Sequence, residues 1–549
     1  MKAVLCCLFA TAILFLVLIQ PNHPAAMTWG ALTLFPLELP VILLALMALP
    51  ARARVTAYGR GVLVAVLMII ALLKLADYAT FLAYGRGFNP VVDLHLLPAA
   101  WRLGSGVVGV SVAILVAGAA MALVVAVAWA LWWATGLWAA VEFWGGRTRV
   151  RVAFGSAAAL ACAIAVAEIG LARRAWDLPI RIPGAAFTAR VGLERIEMAR
   201  ATFADLRLFS RAARSDRLAE VPGLFDRLDG RDVLIVYIES YGRASFDVPF
   251  YAARHLETLS AAGAELERAG LAARSGWLTA PMVGGQSWLS HATLASGLWI
   301  PDQTRYRAYL ASPRKSLYHL AEQAGYRTAA VMPAITYDWP EGPRMGFREV
   351  FASRDLGYRG PPFNWVTMPD QFTLDAMERL LRADPSALPL FAQVALVSSH
   401  APWTPVPALL DWASIGDGGI YGRWDGAGDP PEVVWADPDR VREQYREAVD
   451  YALEVTFSYA VERAGGAPLL LIVGDHQTAP HISGSDSFDV PMHIVGPPDL
   501  LRHLDGWGWT KGMVPAADLP ALPMDGFRDR FVGALSSAGT DPAPERQGL

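Results

Sequence analysis

Hydropathy divides this chain before any motif does. Five apolar stretches of membrane-spanning length, roughly Ala3–Gln20, Ala31–Leu49, Gly61–Leu82, Val107–Trp133 and Val152–Leu171, crowd the N-terminal third, and the sequence beyond them is more polar. A bilayer core takes about 20 apolar residues of helix. Residues 1–172 are therefore expected to form a multi-pass transmembrane domain of five helices. Lys2 precedes the first run as in a signal peptide, but no small-x-small cleavage site leads into polar sequence, so the run reads as a retained helix. Val107–Val141 is long enough to raise the question of a tight hairpin. Its tryptophans (Trp129, Trp132, Trp133, Trp138) cluster at one end as an interfacial belt would, which favours a single span.

Short-loop charge orients these helices. Arg52, Arg54 and Arg60 follow the second stretch, and Arg147, Arg149 and Arg151 follow the fourth. Positive loops stay in the cytoplasm, which puts the N-terminus inside and everything after Leu171 outside. Arg86, Arg102, Arg173 and Arg174 weaken this bias without reversing it. Lys74 and Asp77 lie one helical turn apart in the third stretch, as a functional pair, a structural ion pair or snorkelling side chains. Residues 173–229 read as a connector. Its Arg- and Glu-rich segment Val191–Val221 is amphipathic, either lying on the membrane surface or packed on the following domain.

A formal net charge of -4, with no basic tail or arginine stripe, excludes nucleic acid as an expected partner. Cys6, Cys7 and Cys162 all lie in apolar runs, so the C-terminal half has neither disulfides nor thiolate metal ligands. Any metal there must be held by oxygen and imidazole.

From residue 230 to about 540 the pattern changes to short apolar runs alternating with helical ones. Asp232–Ile238, Thr328–Met332, Leu390–Val397 and Leu469–Val473 read as buried parallel strands. Ser316–Ala324, Gln371–Leu381 and Val441–Ala464 read as helices between them, which predicts a doubly wound α/β domain. Asp541–Leu549 reads as a frayed tail. Three strands end in chemically able residues: Glu239, Ser399-His400 and Gly474-Asp475-His476. Ligands bind at such strand ends in open α/β sheets.

Pro281-Met-Val-Gly-Gly-Gln-Ser287 turns on two glycines, and a helix then runs to a stop at Gly297. Ser287 is thus expected at a helix N-terminus, where free N–H groups and the helix dipole favour an anion. Glu239, Asp475, His476 and the Ser287 hydroxyl together suit a divalent cation, which would activate Ser287 as a nucleophile. His291, one turn on, is a general base, a phosphate donor or a packed helix residue. Ser290 reads as a helix residue. His481 is a leaving-group or supporting candidate, and Arg344 and Arg243 are candidate phosphate partners or simply exposed arginines.

These residues resemble motifs of the alkaline phosphatase and sulfatase superfamily. The whole plan looks like its membrane-bound phosphoglycerol and phosphoethanolamine transferases, the group that includes lipoteichoic acid synthases. The resemblance implies Glu239, in Ile-Val-Tyr-Ile-Glu-Ser-Tyr-Gly, as a metal ligand and Gly474-Asp475-His476 as the late metal pair. Ser287-Trp-Leu-Ser290 resembles the family's Thr-x-x-Ser helix start with serine as nucleophile. His400, in Ser-Ser-His-Ala-Pro-Trp, matches a histidine facing the phosphate or the alcohol, and Trp339 corresponds to a substrate-binding tryptophan. A sulfatase would need x-Pro-x-Arg after its nucleophile, and Ser287-Trp-Leu-Ser-His291 has neither residue.

The reading is a bacterial inner-membrane enzyme with an extracytoplasmic catalytic domain and one divalent ion (Mn, Mg or Zn). It would move a phosphoglycerol-type or phosphoethanolamine group from a phospholipid donor to an envelope glycan or lipid acceptor through phosphoserine. A hydrolase of the same fold and a catalytically silent membrane scaffold are the alternatives.

Overall fold

The computed structural model describes residues 2–50, 53–84, 87–95, 97–98, 100–101, 105, 109–141, 147–176, 182–383, 388–462 and 466–537. Arg52, Arg86, Arg102 and the tail Asp541–Leu549 lie outside them. The chain forms two compact units, Met1–Arg207 and Leu208–Leu549.

Among the described residues of the first unit four helices are long and apolar enough to cross a membrane: Lys2–Ile19, Arg54–Tyr84, Val110–Ala140 and Thr148–Ala172. Val110–Ala140 is one uninterrupted helix, as a single span requires. The expected second span differs. Its helix covers only Glu38–Ala48, 11 residues, or ~16 Å at the helical rise, about half the hydrocarbon thickness. Pro40 is the reason: its ring clashes with a helical carbonyl four residues back, so the helix cannot start much earlier. Short 3₁₀ turns at Pro24–Ala26 and Trp29–Thr33 occupy the sequence before it.

Lys74 and Asp77 take separate partners. Lys74 Nζ donates to the Leu18 carbonyl (2.9 Å) and to Thr188 Oγ1 (2.8 Å). Asp77 pairs with Arg195 at 2.7 Å and accepts the Phe88 N–H at 2.9 Å. Thr188 and Arg195 belong to the helix Phe187–Ala212, the body of the expected connector. Two carboxylates fasten its start: Glu168 accepts the Ala186 N–H (2.9 Å) and Glu38 the Ala189 N–H (2.8 Å). Negative charge at a helix N-terminus is favourable, so the first turns of this amphipathic helix are held by buried polar partners within the first unit.

In the second unit nine strands form one mixed sheet: β1 Val233–Ile238, β2 Ala272–Thr279, β3 Arg327–Met332, β4 Glu349–Ala352, β5 Leu390–Ala395, β6 Leu469–Gly474, β7 Asp489–Gly496, β8 Thr510–Lys511 and β9 Leu522–Pro523. Their order is β4-β3-β5-β1-β6-β7-β2-β8, with β9 beside β2. β3, β5, β1 and β6, the four strands read from sequence, make the parallel centre. β7 runs antiparallel to β6 and β2, so the sheet is mixed, a correction to a simple doubly wound plan. β1 shows why the centre was legible. All six of its residues are buried, Leu234, Val236 and Ile238 in the core on one face and Val233, Ile235 and Tyr237 in the core on the other. Strands covered on both faces need apolar residues at every position.

Candidate active site

Two parallel strands bring the acids together. β1 and β6 pair with Ile238 opposite Gly474, which sets Glu239 and Asp475 side by side just beyond the strand ends. Gly474 permits the approach: a Cβ there would lie 1.7 Å from the Tyr241 carbonyl oxygen. Ser240 turns the chain away from β1 with φ of 60°. Its N–H and that of His476 both donate to Asp475 Oδ1, at 2.8 and 2.7 Å. That leaves Oδ2 for the site.

His476 is oriented by its neighbour's backbone. Its Nδ1 lies 3.1 Å from the Gln477 carbonyl, which can only accept, so Nδ1 carries the proton and Nε2 faces the acids. Nε2 stands 3.1 Å from Glu239 Oε1 and 3.9 Å from Asp475 Oδ2. One donor atom from each of the three residues falls within a sphere where all lie within 4.8 Å of one another.

The serine arrives on the helix Ser287–Ser296. Gly284 and Gly285 have φ of 78° and 133°, and Gln286 is left-handed at 66°, so the chain turns tightly into the first helical position. The Gly284 N–H donates to the Gln477 carbonyl at 2.8 Å and ties this turn to the loop carrying His476. Ser287 Oγ then donates to Glu239 Oε2 at 2.9 Å and lies 3.3 Å from His476 Nε2. Gly297, at φ of 65°, ends the helix as the sequence predicts.

Without a cation, protons balance the charge of this cluster. Burial, and then the Glu239 charge, push the Asp475 carboxyl up to about 8. Burial opposes charge on His476, but Asp475 and Glu239 outweigh it and hold the imidazole up to about 9. Burial also works against ionised Glu239, yet the His476 charge and hydrogen bond pull it well below the usual carboxylate range. Ionised Glu239 thus keeps protons on Asp475 and His476 where a divalent ion would serve. The donor set, two carboxylates, an imidazole nitrogen and a hydroxyl, fits such an ion.

The other candidates fall at different distances from this centre. His400 is exposed beyond β5, with Nδ1 2.6 Å from the Ala401 carbonyl, and its charge reaches Glu239. Ser399 beside it donates to the Glu239 carbonyl at 2.7 Å. His291 lies in the core beneath the site, 4% exposed, its ring centroid 3.8 Å from that of Tyr237. Burial lowers its pKa to about 3, leaving it neutral. Of the readings open to it, the packed helix residue fits. Ser290 is likewise fully buried. Trp339 is half-buried against Phe347, while Arg344 and His481 are exposed on loops after β3 and β6. Arg243 is occupied elsewhere, bonded to Asp247 (2.8 Å), Asp489 (3.1 Å) and the Ala517 carbonyl.

Sequence reasoning missed Asp370. Fully buried, it accepts the Val397 and Ser398 N–H groups at 2.7 and 2.8 Å and so pins the loop that carries Ser399 and His400. Burial pushes its carboxyl up to about 6. The signal was a Pro-Asp helix start, too common to single out.

Comparison with known proteins agrees with this architecture. Residues 231–417 match the Sulfatase family model. No curated protein matches the chain. Among solved structures, the lipoteichoic acid synthase LtaP of Listeria monocytogenes is 15% identical over 62% of this chain and 80% of its own, with a TM-score of 0.38. The phosphoglycerol transferase GacH of Streptococcus pyogenes, in complex with sn-glycerol-1-phosphate, is 11% identical over 63% and 88%, TM-score 0.36. The C-terminal periplasmic domain of EcEptC from Escherichia coli, in a complex with Zn, is 18% identical over 52% and 76%, TM-score 0.32. The family match, rather than these distant likenesses, carries weight: residues 231–417, within the second unit, are similar to the Sulfatase family model, and the second unit is a mixed α/β sulfatase-like domain.

Proposed function

We propose that Ser287 takes a phosphoglycerol-type or phosphoethanolamine group from a phospholipid and passes it to a hydroxyl of an envelope glycan or lipid. The observation that carries this reading is the Ser287 hydroxyl at a helix start, 2.9 Å from Glu239 and 3.3 Å from His476. In the first step the Oγ–P bond forms and the bond from phosphorus to the diacylglycerol oxygen breaks. The serine proton passes to Glu239, its hydrogen-bond acceptor. The departing alkoxide takes the Nε2 proton of His400, which would act in its imidazolium form while Nδ1 stays bonded to the Ala401 carbonyl. The acceptor hydroxyl then attacks phosphorus and loses its proton to His400, the Oγ–P bond breaks, and Ser287 recovers its proton from Glu239. The helix N-terminus offers N–H groups to the phosphoryl oxygens throughout. Trp339, Arg344 and His481, on loops at the same edge of the sheet, would bound the head group.

Glu239, Ser287, Asp475 and His476 would hold a single Mn, Mg or Zn ion, which supplies positive charge that lowers the serine pKa and offsets charge on the phosphoryl group.

The catalytic unit would face the outside of a bacterial cytoplasmic membrane. The short second helix does not change this orientation. The arginines before Arg54–Tyr84 and those around Arg147 are separated by two long helices, so they share one side. Thr148–Ala172 then crosses once more. If the arginines are cytoplasmic, the chain beyond Ala172 lies on the opposite side.

The test is incubation of the purified full-length protein with labelled phosphatidylglycerol and phosphatidylethanolamine, with and without glycan acceptors. Diacylglycerol release with a phosphorylated Ser287 by intact mass is expected. Release of free glycerol phosphate alone would favour the hydrolase, and no turnover with an intact metal site would favour the scaffold.

A further inference from the structure

Around the catalytic face lie aromatic side chains that the core does not use. Trp288 is 40% exposed, Tyr337 80% and Trp365 78%. Side-chain and loop contacts link them around that face. Trp288 follows the nucleophile directly, and its indole N–H donates to Gln303 at 2.9 Å. Gln303 and Tyr306 are neighbours on the helix Gln303–Leu310, and Trp339 reaches the Tyr306 hydroxyl. Tyr337 stands two residues before Trp339. On the other side, Thr367 donates to the Pro333 carbonyl at 2.7 Å, which fixes the turn carrying Trp365 against the loop carrying Tyr337. That turn, through Phe363 and Val366, also lines the small cleft at His400.

The chemistry of the rim selects its occupant. Arg307, one turn from Gln303, and Arg344, next to Met345, are exposed, and among the described residues neither has an ion-pair partner. Met345 Sδ lies 3.7 Å from the Tyr306 hydroxyl, which places Arg344 beside the aromatics. The acids nearby are Asp338, which pairs with Arg354; Glu341; and Asp302, whose carboxylate is taken up by the Thr304 and Arg305 N–H groups. Tryptophan and tyrosine with interspersed arginine suit the interface of a phospholipid bilayer, where rings sit at head-group level and cations meet phosphates. A water-exposed rim of three large rings is otherwise a cost in a monomer. Among the described residues this chain carries four helices of bilayer length, so a lipid surface is part of its surroundings on the reading above.

We infer that Trp288, Tyr337 and Trp365, with Arg307 and Arg344, form a lipid-surface dock that seats the catalytic mouth on the head groups of phospholipid. The inference rests on the lipid-donor reading above and extends it: the enzyme would engage its donor in the plane of a bilayer rather than as an extracted molecule.

Two measurements on the full-length chain in nanodiscs test this. With Cys6, Cys7 and Cys162 replaced by alanine, Trp365→Cys carries an environment-sensitive fluorophore, and Arg268→Cys, a 73% exposed side chain on a distant helix end, is the control. Quenching by spin-labelled phospholipid at 365 and not at 268 is expected. Equal quenching at both, or a shielded fluorophore that the lipid does not quench, as a second copy or protein partner would give, overturns the proposal. The second measurement compares turnover of vesicle phosphatidylglycerol with that of the soluble diester bis(p-nitrophenyl) phosphate. Trp288→Ser, Tyr337→Ser and Trp365→Ser combined should lower kcat/KM on vesicles by on the order of tenfold and leave the soluble diester unchanged. Loss on both substrates or on neither overturns it. If the wild type turns over neither, the catalytic reading fails, while the quenching result still decides the dock.

Discussion

Metal binding at the Glu239, Asp475 and His476 cluster should be steeply proton-linked. Without a cation, Asp475 is pushed up to about 8 by burial and the Glu239 charge. His476 is held at about 9 against burial by Asp475 and Glu239. At pH 7 the cluster therefore carries protons on both partners of Glu239, and an incoming divalent ion must displace them. The residues titrate together, so the apparent affinity should rise by about one to two powers of ten per pH unit between pH 6 and 8, flattening above 9. Stability of the metal-free protein follows the same linkage with opposite sense. Both groups have folded pKa values above their unfolded ones, so their contribution is full at low pH and lost as pH rises through about 8 to 9. Calorimetric titration with Mn or Zn in buffers of different ionisation enthalpy reads protons released per ion. Thermal melts with and without chelator read the growing gap between loaded and empty protein. A flat affinity from pH 6 to 8 with no proton release would refute the linkage, because it would mean that Asp475 and His476 are already deprotonated or do not bind the ion.

Three further perturbations probe the same geometry. Ser287→Ala should abolish both group transfer and the phosphorylated species by intact mass, whereas Ser287→Thr, which keeps a hydroxyl at the helix start, should retain measurable turnover. Gly474→Ala should prevent folding of the second unit, since its Cβ would meet the Tyr241 carbonyl oxygen at 1.7 Å; recovery of soluble, protease-resistant protein at wild-type yield would contradict the packing. Asp370→Ala removes the acceptor of two backbone N–H groups and should cost about 1–3 kcal/mol in a thermal or denaturant melt, with a fall in kcat from a loosened His400 loop. Asp370→Asn keeps one carbonyl acceptor and should behave close to wild type in both readouts.

How much of the fold and site was legible in the sequence depended on whether local chemistry had one solution. β1 and β6 could be read because strands buried on both faces must be apolar throughout, and the residues just past them, Glu239 and Asp475-His476, are thereby placed at one edge. The Ser287 helix was legible from its glycines and its stop at Gly297. β2 was not, because Ala-Ala-Arg-Ser-Gly-Trp-Leu-Thr has no clean alternation; its place is set by pairing with β7. β4, β8 and β9 are too short to carry a pattern. The second membrane stretch was misjudged for a related reason. Its hydropathy is continuous, but proline chemistry at Pro40 limits where helix can begin, and an average over a window does not see a missing N–H.

The residues behind the nucleophile argue further for phosphoryl rather than sulfate chemistry. In a sulfatase, proline two positions and arginine four positions after the nucleophile accompany its conversion to formylglycine, as the family pattern implies. Here those positions are Leu289, with no exposure, and His291, 4% exposed against Tyr237. Burial holds His291 neutral, with its pKa lowered to about 3, so the site gains no cation behind the serine. Positive charge for an anionic substrate must then come from in front: from an ion on Glu239, Asp475 and His476 and from the helix N-terminus at Ser287. On the proposed reading the serine oxygen itself would be the nucleophile, and a serine ester of phosphate, unlike a formylglycine hydrate, can hand its group to a second alcohol.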